Sequence, residues 1–241
     1  MPDVQVSLLP SMIDESLSRR VGVMIDVLRA STTMTHALVH GAQEIIPCQS
    51  VERAFDIKAE LGNVLLGGER QGQLIEGFDL DNSPLKYTPE FVGDRRVVFT
   101  TTNGTKALDA MRDADEVMIG AFVNRSAIID QLIARQKPVC LVCAGTDGAM
   151  TAEDILFAGA VAHELVHLAG FEMRDLGTEL AIAYHQAHPL FSPEFRSAFL
   201  NSQGARNLIK LGLDADIQRS MQLDLFDIVP TWDAESNRIL I

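Results

Sequence analysis

Strand-like and helix-like segments alternate along most of the chain, and this alternation constrains the fold more than any other feature of the sequence. Apolar stretches such as RRVGVMIDV, RRVVFTT and KPVCLVCAG are typical of buried strands. Segments with helical spacing of apolar residues follow them, often with a recognisable helix start or stop signal. Because parallel strands are joined by helical crossovers, the pattern predicts an α/β fold.

We expect a three-layer αβα arrangement around a mostly parallel sheet. The 241 residues would form one unit, 1–241, built either as one domain or as two packed α/β lobes. From residue 176 onward the sequence predicts a helical C-terminal region, until DIVPTW forms a last strand at the edge of the sheet. Residues 76–89 have no period and many turn formers, so they predict a long loop, which is expected to be either functional or disordered.

Charge and composition exclude several classes of function. The net charge of −13 is unfavourable for binding to nucleic acid or to an anionic membrane surface. The chain begins without a recognisable signal peptide, has no apolar run of membrane-spanning length and contains only three cysteines. We therefore expect a soluble, cytoplasmic protein without a disulfide framework. A homo-oligomer is left open.

Polar side chains follow most of the predicted strands. Asp26 and Arg29 come directly after the first of them, and Glu69 and Arg70 follow a Gly-Gly turn after another. Because ligands bind outside the carboxyl ends of parallel strands, we expect these residues to meet in one place. Further candidates lie in the 76–89 loop, in TTNGT after VVF and in the segment after CLVC, namely Asp79, Asp81, Asn82, Thr101, Thr102, Asn103, Gly104, Thr105, Asp147 and Asp154.

The residue types in this set indicate a metal-assisted reaction at a phosphate ester. Carboxylates gathered at one point repel each other unless a cation joins them, and oxygen ligands favour Mg²⁺ or Mn²⁺ over zinc. Arginine side chains and the N–H groups at a helix start bind oxyanions. Each residue taken alone also has a structural explanation, such as a helix cap at Asp26 or Asp154. The interpretation as a catalytic site depends on the whole set.

Several longer stretches resemble one known family. They are IDVLRASTTMTHALVHGA, LLGGERQGQLIEGFDLDNSP, TTNGTKAL, VCAGTDGAMTAEDILFAG and SQGARNLIKLGLDADIQRSMQLDLFDIVP, which occur in this order over nearly the whole chain. In these motifs the chain resembles the 2-phosphosulfolactate phosphatase family. The resemblance implies Mg²⁺-dependent hydrolysis of 2-phosphosulfolactate to sulfolactate and phosphate, a step of coenzyme M biosynthesis in methanogens.

The resemblance extends to single motif positions, with two departures. Ser31 stands where the family usually has Thr, which keeps the hydroxyl. Asp81 stands where Gly is expected, which adds a charge beside Asp79. The family's motif positions are occupied here by Asp26, Arg29, Glu69, Arg70, Asp79, Asn82, Thr101, Thr102, Asn103, Gly104, Thr105, Gly145 and Asp154.

We assign catalytic roles to Asp26, Arg29 and Glu69, with Asp26 or a metal-bound water attacking phosphorus. The small phosphorylated substrate would be bound by the arginines and by the polar turn that starts the helix after VVFTT. The predicted metal ligands, direct or through water, are Asp26, Glu69, Asp79 and Asp154. The predicted substrate-binding residues are Arg70, Asn82, Thr101, Thr102, Asn103, Gly104, Thr105 and Gly145.

The stretch HELVH offers a different interpretation. His163, Glu164 and His167 match the H-E-x-x-H signature of zinc peptidases, with both histidines on one face of a predicted helix. The third histidine of the extended signature is absent, because Met173 stands in its place. The motif also falls on the polar side of the helix, about two to three turns from Asp154. A zinc peptidase stays as an alternative, as does a non-catalytic protein that binds anionic metabolites.

Overall fold

The strands of the molecule form a single ten-stranded sheet. The computed structural model describes all 241 residues of the chain. In chain order, the strands are β1 (Asp3–Ser7), β2 (Val21–Ile25), β3 (Glu44–Pro47), β4 (Val64–Gly68), β5 (Arg96–Thr100), β6 (Glu116–Gly120), β7 (Val139–Cys143), β8 (Glu172–Met173), β9 (Thr231–Asp233) and β10 (Arg238–Leu240). Their order in the sheet is β4-β5-β3-β10-β9-β6-β2-β7-β1-β8.

Ten α-helices cover this sheet, together with three short 3₁₀ turns. The helices are α1 (Ala30–Val39), α2 (Val51–Leu61), α3 (Pro89–Val92), α4 (Gly104–Ala110), α5 (Arg125–Arg135), α6 (Ala152–His167), α7 (Leu176–Ala187), α8 (Pro193–Leu200), α9 (Gln203–Lys210) and α10 (Asp214–Ser220). The predicted α/β class, the mostly parallel sheet and the helical region after residue 176 are confirmed.

The sheet consists of two parallel groups joined by an antiparallel hairpin. One group is β4-β5-β3 and the other is β6-β2-β7-β1-β8. The C-terminal hairpin β9–β10 lies between them, where Trp232 pairs with Val117 and Ile239 pairs with Ile45. Because the junctions β6–β9, β9–β10 and β10–β3 are all antiparallel, the two groups run in opposite directions.

The loops at the carboxyl ends of both groups nevertheless meet in one region. The loop after β5 reaches the loop after β2, and a Cβ atom added at Gly104 would lie only 3.0 Å from Asp26 Oδ2. The polar residues that follow β2, β4 and β5 therefore converge, although their strands belong to opposed groups.

The apolar core lies on both faces of the sheet. Beneath α6 and α8, Phe122 makes edge-to-face contacts with Phe157 and Phe195 at ring distances of 5.3 and 5.4 Å. Helices α1 and α4 bury Met34 and Leu108 in a second cluster. A third, smaller cluster forms under α2. Each large apolar side chain buried in this way stabilises the fold by about 1.5–3 kcal/mol, so the core holds the loops of the site in place.

The position predicted for the C-terminal strand is wrong. Thr231–Asp233 lies in the interior of the sheet, between β6 and β10, and not at its edge. The reason is the partner strand Arg238–Leu240, whose three residues are too few to show a strand period. The N-terminal strand Asp3–Ser7, which the sequence analysis missed, pairs with β7 and β8.

None of the helices is both long enough and apolar enough to span a lipid bilayer.

Candidate active site

A cavity of about 330 Å³ opens where the loops after β2, β4, β5 and β7 converge, and α9 forms the remaining wall. Three of its lining side chains are acidic and two are basic. The acidic ones are Asp26, Glu69 and Asp147, and the basic ones are Arg29 and Lys210. The position at the carboxyl ends of strands is the one at which α/β proteins bind ligands.

Asp26 is held at the bottom of this cavity by the start of α1. Its Oδ1 atom accepts a hydrogen bond from the Ala30 N–H at 3.2 Å. The Ser31 hydroxyl donates to the Asp26 carbonyl at 2.8 Å and accepts from the Asp26 N–H at 3.2 Å. Burial raises the pKa of Asp26 well above its ordinary value, and the neighbouring charge of Asp154 raises that pKa further. A carboxyl group in this environment binds a proton or a cation readily.

Asp154 supports the cavity from behind and does not line it. Its Oδ1 accepts from the Val27 N–H at 2.9 Å and its Oδ2 from the Gly145 N–H at 3.0 Å. Both carboxylate oxygens therefore connect the loops after β2 and β7 to the first turn of α6. Burial, with the charge of Glu153, raises the pKa of Asp154. The structure thus gives Asp154 and Gly145 supporting positions, where the sequence predicted a metal ligand and a substrate contact.

Glu69 joins the loops after β4 and β5. Its Oε1 accepts from both the N–H and the hydroxyl of Thr102 at 3.0 Å. Its Oε2 accepts from the Gly72 N–H at 2.7 Å. Although only 8% of Glu69 is exposed, the exposed part faces the cavity. The structure therefore places Glu69 beside Asp26 and Thr102, as expected from their positions directly after strands.

Arg29 lines the cavity and is held in place by a buried ion pair. Its Nη1 donates to Asp216 Oδ2 at 2.7 Å, and its Nη2 donates to the Gly72 carbonyl at 2.8 Å. The Ser83 hydroxyl donates to the other carboxylate oxygen of Asp216 at 2.6 Å. Arg29 is thus fixed in orientation by α10. The sequence analysis missed Asp216, because an acidic residue in a polar helix gives no sign of burial.

The start of α4 supplies the polar turn that the sequence predicted. Thr102 and Asn103 line the cavity. Thr101 and Thr105 cap the helix start instead, because the Thr105 N–H donates to Thr101 Oγ1 at 3.3 Å and the Thr105 hydroxyl donates to the Thr101 carbonyl at 2.9 Å. Gly104 permits the close approach of Asp26, since a Cβ atom there would lie 3.0 Å from the carboxylate.

Asn82 lines the cavity as predicted, whereas Asp79, Asp81 and Arg70 lie outside it. Asp79 accepts from the Leu66 N–H at 2.8 Å and pairs with Lys58 at 3.1 Å. Asp81 accepts from the Ser83 N–H at 3.0 Å and pairs with Lys86 at 2.7 Å. Arg70 spans the ends of three strands, because it donates to the carbonyls of Glu69 and Gln49 and to the Thr100 hydroxyl.

These placements change the predicted ligand set. The carboxylate of Asp79 is directed to the backbone of β4 and to α2, so the structure does not bring Asp79 together with Asp26 and Glu69. The extra charge at Asp81 is neutralised locally and does not enter the cavity. Arg70 braces the strand ends behind Glu69 and is a supporting residue.

Helix α9 contributes cavity residues that the sequence analysis did not select. Asn207 and Lys210 face the cavity, and Lys210 is exposed and takes part in no ion pair. Because Arg29 is already paired with Asp216, Lys210 is the cation at this site that is available to an incoming anion. The segment containing it, SQGARNLIKLG, is one of the stretches that carry the family resemblance, which is the signal that could have identified Lys210.

The HELVH segment does not form a zinc site. No group of three or more His, Cys, Asp or Glu side chains in the molecule is arranged to hold a metal ion. Glu164, the expected catalytic base of a zinc peptidase, is paired with Arg125 at 2.7 Å. The rings of His163 and His167 lie in contact on the outer part of α6, with centroids 4.7 Å apart and planes inclined at 54°. The zinc peptidase interpretation is not supported.

Comparisons with known proteins point to one family. The sequence model described as 2-phosphosulpholactate phosphatase matches residues 7–235. A protein of Caldanaerobacter subterraneus subsp. tengcongensis is 40% identical over 222 residues, which cover 91% of this chain and 90% of that protein. A Thermotoga maritima protein is 38% identical over 213 residues, 88% of each chain. A Clostridium perfringens protein is 36% identical over 220 residues, 89% of this chain and 87% of that protein. All three are named probable 2-phosphosulfolactate phosphatases.

Proposed function

The chain belongs to the 2-phosphosulpholactate phosphatase family and is a phosphoric monoester hydrolase, and on that premise we propose that its substrate is 2-phosphosulfolactate. Hydrolysis would give sulfolactate and inorganic phosphate. Membership of this enzyme family gives no support to a non-catalytic role in binding anionic metabolites. Relatives named for that substrate align with about nine-tenths of this chain, which supports the same substrate class here.

One observation carries the proposal more than any other. Buried carboxylates on the loops after β2 and β4 face a wall that bears an exposed, unpaired lysine across the same cavity. Acidic groups at the bottom would serve the reacting phosphoryl group, with a cation. The lysine at the rim would bind a further acid group of the substrate. 2-Phosphosulfolactate carries a carboxylate and a sulfonate besides its phosphate. Its phosphate would therefore face the acidic groups, and one of the other two acid groups would face the lysine.

We also propose that the reaction requires Mg²⁺. Mg²⁺ commonly binds through one or two carboxylates, keeps several waters and uses substrate phosphate oxygens as further ligands. Asp26 and Glu69 both line the cavity, which is the number of carboxylates that this mode of binding uses. When bound, the cation would withdraw charge from the phosphoryl oxygens and lower the pKa of a bound water.

Residues of the chain would supply the nucleophile or base and would bind the phosphoryl group and the rest of the substrate. Asp26 would lie next to the phosphorus atom, either as the nucleophile or as the base that orients the attacking water. Thr102 and Asn103 would donate hydrogen bonds to phosphoryl oxygens. Glu69 would keep Thr102 in position through its two hydrogen bonds to that residue. Lys210 would bind the acid group at the other end of the substrate.

A substrate series tests the proposal. Phosphate release would be measured for 2-phosphosulfolactate, for 2-phosphoglycerate, which has a hydroxyl in place of the sulfonate, and for phenyl phosphate, which has no second acid group. We expect the highest kcat/KM for 2-phosphosulfolactate, with turnover abolished by a chelator and restored by Mg²⁺. Equal kcat/KM for all three esters would contradict the proposed substrate, and full turnover in the chelator would contradict the proposed metal.

A further inference from the structure

A second cavity, of about 580 Å³, lies beside the candidate active site and shares no lining residue with it. Its walls are the carboxyl end of β3, one side of α2, one side of α4 and the turn of the β9–β10 hairpin. The volume falls in the range of small-molecule sites, about 300–1,000 Å³. The proposed phosphatase reaction makes no use of this cavity.

The cavity lies where two neighbouring parallel strands send their helices to opposite faces of the sheet. After β3, α2 packs Ile57 in the same cluster as Ile46. After β5, α4 packs Leu108 in the same cluster as Ile45. Because Ile45 and Ile46 are consecutive in one strand, their side chains point to opposite faces. Such a change of face opens a crevice outside the carboxyl ends, where open α/β sheets bind ligands.

Cations outnumber anions in the lining of this cavity. Arg53, Arg112 and Arg238 contribute three positive charges, and Glu60 and Asp109 contribute two negative ones. The excess stands out because the whole chain carries a net charge of −13. A local positive region on an acidic protein attracts small anions that the rest of the surface repels.

Arg53 and Arg112 can exchange their present partners for a ligand at small cost, whereas Arg238 pairs with Glu44 at 3.2 Å in a less exposed position. Arg53 pairs with Glu60 at 2.9 Å, and both side chains are more than half exposed. Arg112 pairs with Asp109 at 2.9 Å with similar exposure. Exposed pairs of this kind contribute about 0–1 kcal/mol. A hydrogen bond from arginine to an anion held partly out of water is stronger, so an arriving anion can compete for these side chains.

The bottom of the cavity is already ordered. The Trp232 indole N–H donates to Asn237 Oδ1 at 3.1 Å, and Asn237 Nδ2 donates to the Pro47 carbonyl at 2.9 Å. The Arg112 guanidinium lies 5.4 Å from the centre of the Trp232 ring. A ligand would therefore meet a surface that needs little rearrangement, which lowers the entropic cost of binding.

We propose that this cavity is a second ligand site for a small organic anion, in which a sulfonate, phosphate or carboxylate group is joined to an apolar group. The arginines bind the anionic group, and the apolar group packs against Ile46, Ile57 and Leu108. Bound ligand also contacts Thr105, in the first turn of α4, the helix that begins at the catalytic cavity.

The position of the only tryptophan in the chain makes the site directly observable. Trp232 lines the second cavity, so binding there changes its fluorescence. The probe is 8-anilinonaphthalene-1-sulfonate, which joins a sulfonate to aromatic rings and accepts energy from an excited tryptophan. We expect saturable quenching of Trp232 emission at one probe per chain. Inorganic phosphate, which has no apolar group, should displace the probe only at far higher concentration.

The affinity of the probe for a cavity variant and for a matched control variant distinguishes binding at this cavity from non-specific binding. The variant R53Q/R238Q removes two arginines of the cavity, and the control R19Q/R196Q removes two exposed arginines elsewhere. We expect the probe to bind about tenfold more weakly to the first variant and unchanged to the second. The single variant R53Q, at a half-exposed position, gives the same comparison if the double variant does not fold. Absence of quenching, or an equal loss of affinity in cavity and control variants, would overturn the proposal.

Discussion

Arg29 and Asp216, which are 187 residues apart in the chain, form an ion pair with Nη1 2.7 Å from Oδ2 and with neither side chain more than 3% exposed. This pair joins the loop after β2, which carries Asp26, to α10 in the C-terminal helical region. Because Arg29 also binds the Gly72 carbonyl, three separate parts of the chain meet at one guanidinium group. The wall of the candidate active site therefore depends on long-range contacts.

Replacing Asp216 by Ala should strongly destabilise the protein. The change leaves the buried Arg29 charge without its partner, which costs about 3–5 kcal/mol. The control D214A removes an exposed acidic residue from the first turn of the same helix and should cost less than about 1 kcal/mol. Urea unfolding of both variants measures the difference. Equal loss of stability in D216A and D214A would show that the ion pair is not the reason.

Glu69 and Asp79 should differ sharply in catalytic importance, although the sequence suggested the same role for both. E69Q weakens the contacts that hold Thr102 and removes a cavity carboxylate, so turnover should fall by about 100-fold or more. D79N changes a side chain directed to Lys58 and β4, so turnover should stay within about threefold of the unmodified protein. Steady-state phosphate release measures both. A large loss of turnover in D79N would show that Asp79 takes part in the catalytic site.

Lys210 should act on substrate binding more than on the chemical step. K210M removes the unpaired cation at the cavity rim, so the KM for 2-phosphosulfolactate should rise about tenfold with kcat nearly unchanged. The KM for phenyl phosphate should not change, because that ester has no second acid group. K137M, which removes a lysine paired with Asp115, serves as the control. An equal rise in KM for both esters would assign Lys210 to phosphate binding instead.

His36 should make the protein less stable as the pH falls. Burial lowers the pKa of His36 from 6.5 to about 3, with help from the positive charge of Arg219. Between these two values the unfolded chain binds a proton that the folded chain does not, so the free energy of unfolding decreases as the pH drops below about 6.5. At pH 5 this contribution amounts to about 2 kcal/mol.

The variant H36L isolates that contribution. Both ring nitrogens of His36 are buried without a hydrogen-bond partner, so leucine removes no hydrogen bond. The loss of stability between pH 7 and pH 5 should be about 2 kcal/mol smaller in H36L than in the unmodified protein, measured by urea unfolding. Identical pH dependence in the two proteins would rule out His36 as the titrating group.

The part of the site that lies directly after apolar strands could be predicted from the sequence. Asp26, Glu69 and Thr102 were identified because the alternation of strands and helices marks the strand ends and ligands bind there. Asp79 was selected from the 76–89 loop, and the structure does not bring it together with the other candidates. Its position in the loop was clear, but the sequence does not show that its carboxylate pairs with Lys58 from α2.

The contributions of the C-terminal region could not be predicted in this way. Asp216 and Lys210 reach the site through the packing of α9 and α10 on loops that lie more than a hundred residues earlier, and no local pattern encodes that contact. The β9–β10 hairpin was mistaken for an edge strand because the period of three-residue strands cannot be recognised. Its insertion reverses one group of strands relative to the other, and the loops of both groups still meet at the same cavity.

Phosphate release from 2-phosphosulfolactate at saturating Mg²⁺, compared between the unmodified protein and D26N, tests the central claim most directly. The Asn side chain keeps the size of Asp26 and loses its negative charge. If Asp26 faces the reacting phosphoryl group, turnover should fall by at least about 1,000-fold while the protein stays folded. Full turnover by folded D26N would contradict the account, because the convergence of the loops on that carboxylate would then have no part in the reaction.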